Sequence, residues 1–117
     1  MKVQLTDGKI RLRLDEAEFA QLLDGAPVRC RTPLPGAAWV IGADAVDGEC
    51  FAVEGTPESL VVLLPRALLL DYRQRLPCRD GVVGEVELGA GQRLRIDFEV
   101  DVRDSVRVRG VRRRRVE

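Results

Sequence analysis

The Asp7-Gly8 pair constrains the fold of this chain more than any other short feature. Both central positions of a tight hairpin turn need positive φ, which these residue types tolerate, and alternating residues flank the pair on both sides. A two-residue turn here pairs Thr6 with Lys9 and, at the far end, Lys2 with Arg13. A slip of one residue would move every apolar side chain into water, so the register is determined.

This hairpin has one apolar and one polar face. The apolar side chains are Met1, Val3, Leu5, Ile10, Leu12 and Leu14. The polar side chains are Lys2, Gln4, Lys9, Arg11 and Arg13. Because Lys2 lies opposite Arg13, this like-charge pair needs water or an anion between its two groups.

A capped helix follows the hairpin directly. Asp15 is a good N-cap, and Glu18, three positions later, completes a capping box. Phe19 and Leu22 form an apolar stripe at helical spacing, and Gly25 ends the helix.

Shorter signals predict the remaining elements. Strands are expected at residues 28–32, 38–43, 50–54, 59–64, 82–88 and 93–102. Residues 32–36 should form a loop, because Pro33 and Pro35 cannot both take part in a strand ladder. The run at residues 59–64 is almost continuously apolar, which is typical of a central strand buried on both faces. Pro65 suits the first position of a second helix, which ends at Pro77.

The element order β-β-α-β-β-β-β-α-β-β predicts an α+β domain. Most connections are too short for a parallel crossover, so we expect a twisted, mostly antiparallel sheet that could curl into a partial barrel, with two short helices against it. We expect residues 1–102 to form this single domain and residues 103–117 a basic, flexible tail. The segments RLRLD (residues 11–15) and RLRID (residues 93–97) look alike, but we interpret both as half-buried strands and expect no internal repeat.

Composition argues against several kinds of site. The chain has no histidine, which removes the commonest general base and the commonest metal ligand. Its three cysteines, Cys30, Cys50 and Cys78, are widely spaced, so we expect core thiols rather than disulfides or a zinc site, and no cofactor. No run approaches the roughly 18 apolar residues of a membrane span, and the opening residues lack the apolar core of a signal peptide. We therefore expect a cytoplasmic protein.

Four pieces of the sequence, in this order, resemble a family of short bacterial proteins whose domain has no known function. Members open with an MKIRI-like strand, continue with IRLRL and a capped helix, and later carry a V-x-V/L-P-K/R-A step into a second helix. The matching pieces are residues 1–5, 10–15, 62–67 and 94–99. The resemblance covers most of residues 1–100 but not the arginine-rich end. Its motifs are structural, and with no activity assigned to the family it implies no functional residues.

Catalysis is not the function that we favour. Ser59 and Ser105 are the only serines, and the sequence has no nucleophile elbow, P-loop or dinucleotide-binding fingerprint. A carboxylate-dependent hydrolase is the remote alternative, since paired acids can serve as acid and base. Its candidate residues all fall near predicted turns: Asp44, Asp47, Glu49, Glu54 and Glu58.

The polar face of the hairpin is one candidate for contact with nucleic acid or another anion, through Lys2, Lys9, Arg11 and Arg13. Arg29 and Arg31 would extend it if their strand lies adjacent. Sheets that bind single strands interleave exposed aromatic residues for base stacking, and this hairpin has none. We therefore favour a solvated strand face.

The tail is the better candidate for nucleic acid. From residue 103 onward seven arginines accompany two acids, so the tail could bind phosphates without reading sequence. The alternatives are contact with anionic lipid or with the acidic body of a neighbouring subunit, or a disordered, solubilising end. Its candidate contacts are Arg107, Arg109, Arg112, Arg113, Arg114 and Arg115.

The class that we favour is a protein-interaction or self-associating module. The first 102 residues carry 17 acidic and 12 basic side chains and predict a compact sheet domain without catalytic residues. Exposed edge strands of such a domain commonly pair with a second copy or with a protein partner. A nonspecific nucleic-acid-binding accessory protein that uses the arginine-rich tail is the alternative.

Overall fold

The structure, a computed structural model, describes residues 1–78 and 80–102, and this part of the chain contains eight strands and two helices. Their bounds are β1 Lys2–Thr6, β2 Lys9–Asp15, α1 Glu16–Leu23, β3 Val28–Leu34, β4 Ala37–Val46, β5 Ala52–Thr56, β6 Ser59–Pro65, α2 Arg66–Arg75, β7 Val82–Gly89 and β8 Gln92–Asp101. The α+β class and the element order are therefore confirmed. Neither of these helices is long and apolar enough to cross a membrane. The predicted tail, with its six candidate arginines, lies outside the described residues.

The strands divide between two open sheets of four strands each. Sheet 1 has the order β1-β2-β8-β7, and sheet 2 has the order β3-β4-β6-β5. The outer pairs of each sheet are antiparallel hairpins, whereas the central pairs, β2 with β8 and β4 with β6, are parallel. Short connections predict the hairpins correctly. The parallel pairs are possible despite the short connections, because each pair joins strands that are separated in the chain by other elements.

The two halves of the chain repeat one ββαββ architecture. β1 and β2 correspond to β5 and β6 at an offset of 50 residues, and β4 corresponds to β8 at an offset of 55. The pairing registers obey the same relation, because Leu12 lies beside Phe98 in sheet 1 and its equivalent, Val62, lies beside Ala43 in sheet 2. Exchanging the halves therefore exchanges the two sheets, strand for strand.

The two halves share the positions that are buried rather than the residues that occupy them. Four equivalent pairs are all buried: Leu12 with Val62, Leu14 with Leu64, Phe19 with Leu69, and Leu22 with Tyr72. Our expectation of no internal repeat is therefore wrong. A core constrains the volume and polarity of its side chains far more than their identity, so the sequence comparison shows little.

A single core lies between the sheets and the helices, and three aromatic rings meet in it. Phe19, Tyr72 and Phe98 have ring centroids 5.8, 5.9 and 6.2 Å apart. The buried Tyr72 hydroxyl accepts a hydrogen bond of 3.0 Å from the backbone N–H of Val100. Since β7 pairs with β8 only as far as Phe98, this hydroxyl takes the place of a strand partner. Burial raises the pKa of Tyr72, which keeps its hydroxyl protonated.

Phe51 anchors the linker between the two halves. Its ring packs against the backbone of Gly84 in β7, where an added Cβ would lie only 2.1 Å from the ring. Glycine at this position therefore leaves the space that the Phe51 ring fills.

The first hairpin and the first helix match the sequence prediction in detail. Lys2 lies opposite Arg13, as predicted, and Gly8 has φ +74° in the turn. The Asp15 side chain accepts from the Glu18 N–H at 2.7 Å, and the Glu18 side chain accepts from the Asp15 N–H at 3.0 Å. The capping box is therefore confirmed.

Two prolines occupy other positions than predicted. Pro33 lies within β3, so the predicted loop at residues 32–36 is reduced to a tight turn after Leu34. β3 is an edge strand of sheet 2, where proline is tolerated. Pro65 is the N-cap of α2 rather than its first residue.

Tyr72→Phe keeps the ring packing and removes only the hydroxyl. The Val100 N–H then loses its buried partner, so we expect the free energy of unfolding, measured by urea denaturation, to fall by about 1–3 kcal/mol. Thr6→Val removes an exposed hydroxyl from β1 and is the control, with an expected change below about 0.5 kcal/mol. An equally small change for Tyr72→Phe would contradict a stabilising role for this hydrogen bond.

Candidate functional site

The outer side of sheet 1 is a network of opposite charges, which we call the charged face. Its members are Lys2 and Gln4 from β1, Lys9, Arg11 and Arg13 from β2, and Arg95, Asp97, Glu99 and Asp101 from β8. They alternate with inward residues that belong to the core. The parallel register places Arg11 beside Asp97 and Arg13 beside Glu99.

Glu99 is the central acceptor of the charged face. Its Oε1 lies 2.6 Å from Nε of Arg13 and 2.9 Å from Nη2 of Arg11, and its Oε2 lies 3.0 Å from that same Nη2. Burial on its own raises the pKa of Glu99. The hydrogen bonds and positive charges of both arginines outweigh burial and hold this pKa below its ordinary value.

Asp97 is the second acceptor on this face. Its carboxylate lies 2.7 Å from Nε of Arg95 and 3.8 Å from Nζ of Lys9. Exposed ion pairs of this kind contribute little individually to the stability of the fold. They do place carboxylates along the basic strand β2. Most of the basic side chains that the hairpin presents are therefore paired with carboxylates of β8.

The structure brings Lys2, Arg11 and Arg13 together, as the hairpin register predicts. Sequence reasoning missed that Glu99 joins them, because Arg13 and Glu99 are 86 positions apart. The available signal was the alternation of charged and apolar residues at 93–101, on a strand whose neighbour the sequence did not reveal. Arg29 and Arg31 lie on β3 in sheet 2, so they do not extend this face.

The outer side of sheet 2 has the opposite character, and we call it the apolar face. Its central members are Val40 and Gly42 from β4, Ala52 from β5, and Val61 and Leu63 from β6. These residues alternate with inward neighbours such as Val62 and are not among the residues that pack against the core. They form a mainly apolar surface on one side of the sheet, which also includes Ser59 beside Val40 and Asp44 beside Leu63.

The prediction that residues 59–64 are buried on both faces is wrong. Val62 and Leu64 are fully buried, whereas Val61 and Leu63 remain half-buried on the outer side. Parallel central strands are usually covered on both faces by crossover helices. Here the buried residues of both helices belong to the core on the inner side, so the outer side stays open in the described part of the chain.

One ion pair lies on the apolar face itself, over strand β4, and further charged side chains lie at its two margins. Arg29 crosses over Gly42, where an added Cβ would lie 2.6 Å from its Nη1, and it pairs with Asp44 at 3.3 Å. Arg31, on the same edge strand, and Glu54, on the opposite edge strand β5, make no ion pair within residues 1–78 and 80–102. One margin of the face is therefore positive and the other is negative.

An apolar groove of about 340 Å³ lies at one end of sheet 2. Leu34 and Trp39 line it from β3 and β4, and Pro57 lines it from the β5–β6 turn. The indole N–H of Trp39 donates a hydrogen bond of 2.6 Å to the Pro57 carbonyl, which fixes the ring. Leu34 and Trp39 have the inward register of Ile41, so this groove is not part of the apolar face.

The acids suggested for a hydrolase lie on different elements. They are found on β4 (Asp44), in the linker between the halves (Asp47 and Glu49), on β5 (Glu54) and in the β5–β6 turn (Glu58). Asp44 and Asp47 form ion pairs with Arg29 and Arg66. Within the described residues, no group of three or more Cys, Asp or Glu is placed to hold a metal ion.

All three cysteines are free thiols. Cys30 and Cys78 are partly buried, which agrees with their interpretation as apolar packing residues. Cys50 is exposed in the linker, so that interpretation is wrong for this residue.

Glu99→Gln removes the negative charge that Arg11 and Arg13 share. Because the pKa of Glu99 is lower in the folded than in the unfolded chain, its carboxylate stabilises the fold fully above about pH 4.3 and loses this contribution as pH falls through the folded pKa. We expect the substitution to lower the free energy of unfolding by about 1–3 kcal/mol near neutral pH, with a difference that shrinks as the carboxylate becomes protonated in acid.

The matched control is Glu87→Gln on edge strand β7, where the carboxylate is 77% exposed and lies 3.5 Å from Arg93. This control should change the unfolding free energy by less than about 0.5 kcal/mol. Urea denaturation over a range of pH measures both. An effect of Glu99→Gln that is equal in acid and at neutral pH would contradict a role for its charge.

Comparison with known proteins does not place the chain in a family. No family model matches the sequence, and no curated protein matches it either. The resemblance to short bacterial proteins therefore stays a prediction, and the function is inferred from the two outer faces.

Proposed function

We propose that this protein is a non-catalytic, self-associating module in which the apolar faces of two copies pack together. The apolar face itself carries the proposal, because Val40, Val61 and Leu63 lie on the same outer side of sheet 2. Apolar residues that stay partly exposed together on one face often mark an interaction site. Two such faces would stack about 10 Å apart, as sheets do in a β-sandwich.

The fold does not itself require an apolar outer face on sheet 2. The equivalent positions of sheet 1 are Arg11 for Val61, Arg13 for Leu63, Arg95 for Val40 and Asp97 for Gly42. Charged side chains are thus compatible with this strand arrangement and register. An acid is kept at one position, since Asp44 is the equivalent of Glu99. The strand arrangement does not require the valines and the leucine around it, which supports a role for them in association.

The charges on the two margins favour a second copy as the partner. Arg31 borders the apolar face on β3, and Glu54 borders it on β5, at the opposite edge. An isologous interface brings each patch against itself in a second subunit, so a face with one positive and one negative margin can be its own complement.

This complementarity also selects the symmetry axis. An axis parallel to the strands, between β4 and β6, brings β3 of one copy over β5 of the other. Arg31 and Glu54 are then offset by one row of residues, about 6.6 Å along the strands, which a long arginine side chain spans. An in-plane axis perpendicular to the strands would stack β3 on β3 and bring like charges together.

The association should be weak because the face is small. Four strands about 4.8 Å apart and the seven paired residues of the central strands, at about 3.3 Å each, cover roughly 440 Å² per copy. A standard interface buries about 800 Å² per partner. We therefore expect a reversible dimer with a dissociation constant in the micromolar range or weaker.

Leu63→Lys places an ammonium group in the middle of the proposed interface, where it would be desolvated without a partner. We expect sedimentation velocity to show a dimer for the original chain and at least about tenfold weaker association for this variant. Val83→Lys makes the same kind of change at an exposed position on sheet 1 and should leave association unchanged. A chain that remains monomeric up to about 1 mM would contradict the proposal.

Exchanging the charges of Arg31 and Glu54, which lie at the two margins of the apolar face, tests the proposed symmetry axis. Arg31→Glu and Glu54→Arg should each weaken the dimer about threefold, because each places like charges across one margin. The double variant restores the attraction with reversed signs and should recover most of the affinity, again measured by sedimentation. Two weakened single variants without recovery in the double variant would contradict an axis parallel to the strands.

A further inference from the structure

We propose a second site at the β1 side of the charged face: a pocket that binds a phosphate group, either free or carried by a small molecule. A shallow cavity of about 280 Å³ opens at this place. We call it the anion pocket, and its lining is Lys2, Val3, Gln4, Arg11, Arg13 and Glu99. The site lies on sheet 1 and is independent of the proposed self-association through sheet 2.

Cationic side chains outnumber carboxylates in the anion pocket. Glu99 neutralises part of the charge of Arg11 and Arg13. Lys2 lies directly opposite Arg13 in the hairpin, and its ammonium group makes no ion pair or hydrogen bond within the described part of the chain. Like charges at directly opposed positions of a strand pair repel each other. An anion between Lys2 and Arg13 would replace this repulsion with two attractions.

The two arginines also keep free hydrogen-bond donors. Arg13 donates to Glu99 from Nε, and Arg11 donates from Nη2. Both Nη atoms of Arg13, and Nε and Nη1 of Arg11, donate to no other residue in 1–78 and 80–102. Glu99 thus acts as a positioning residue, which holds both guanidinium groups in place and leaves donors for a ligand with several acceptor oxygens. A phosphate group has this chemistry.

Gln4 adds a neutral donor beside these charges. It precedes the turn on β1, pairs with Arg11 in the hairpin register and lines the same cavity. Its side-chain amide can donate to an oxyanion without adding charge. The donors of the pocket therefore converge from two neighbouring strands of a paired sheet rather than from a loop.

The surroundings favour a small ligand over a polyanion. Asp97 and Asp101 lie on the same face, and Glu85 and Glu87 follow on the outer strand β7. A nucleic-acid backbone laid along the sheet would bring successive phosphates against these carboxylates. A single phosphate group contacts only the cationic side of the face.

Heteronuclear NMR of the full chain, titrated with inorganic phosphate against chloride at constant ionic strength, tests the proposal. We expect saturable shifts at the amides of residues 2–4 and 11–13. Lys2→Gln should weaken phosphate binding about tenfold, as expected for the loss of one charge-assisted hydrogen bond. Lys9→Gln changes a lysine of the same face that pairs with Asp97 outside the pocket, and it should weaken binding less than twofold.

Gln4→Glu is the second variant, since it places a carboxylate on the pocket wall and should abolish binding even if Lys2→Gln disturbs the edge strand. A titration with glycerol phosphate in place of inorganic phosphate distinguishes the two kinds of ligand. Tighter binding of the ester indicates a small organic ligand, and tighter binding of inorganic phosphate indicates the free ion. Leu63→Lys should bind phosphate normally, which separates this site from the interface on sheet 2.

Three results would overturn the proposal. The first is a response that does not saturate or that chloride reproduces. The second is an equal effect of Lys2→Gln and Lys9→Gln. The third is a single-stranded oligonucleotide that binds to the same residues more tightly per phosphate than the free ion, which would identify the charged face as a nucleic-acid surface.

Discussion

The parallel pairing of β2 with β8 is the constraint on which the rest of the structure depends. It joins the first hairpin to the last one and sets Leu12 beside Phe98, so that both strands contribute to the core. The same register sets Arg13 beside Glu99 on the outer side. Because side chains alternate along a strand, the core and the ion pairs cannot be arranged independently. Packing on the inside therefore decides which acid contacts which arginine on the outside.

The second half of the chain repeats this parallel pairing, but the residues on its outer side are different. In sheet 2 the pairing of β4 with β6 again satisfies the core, with Val62 beside Ala43. Its outer positions carry valine and leucine where sheet 1 carries arginine. The equivalence of the halves acts as an internal control, because it separates residues that the fold requires, which are apolar in both halves, from residues that it leaves free to differ. The outer faces belong to the second group.

Most of the structural features that the sequence predicts correctly depend on residues that are close together in the chain. The Asp7-Gly8 turn, the hairpin register and the capping box at Asp15 depend on neighbours within a few positions, so pattern and spacing suffice. Strand order depends on pairings between distant segments, so the two sheets and the position of Glu99 could not be predicted. The run at residues 59–64 shows a further limit. An apolar strand looks the same whether its second face is covered by its own helix or left for another molecule, and only the structure distinguishes the two.

The two outer faces also differ in what association would cost. Burying the charged face would remove Glu99 and both of its arginines from water, and this desolvation offsets much of what their attraction contributes. Burying the apolar face desolvates one ion pair among the described residues, that of Arg29 with Asp44, which lies over β4. Because the two sheets enclose one core, their outer faces point away from each other. A dimer formed through sheet 2 therefore leaves both anion pockets open to solvent, so association and ligand binding do not compete for the same surface.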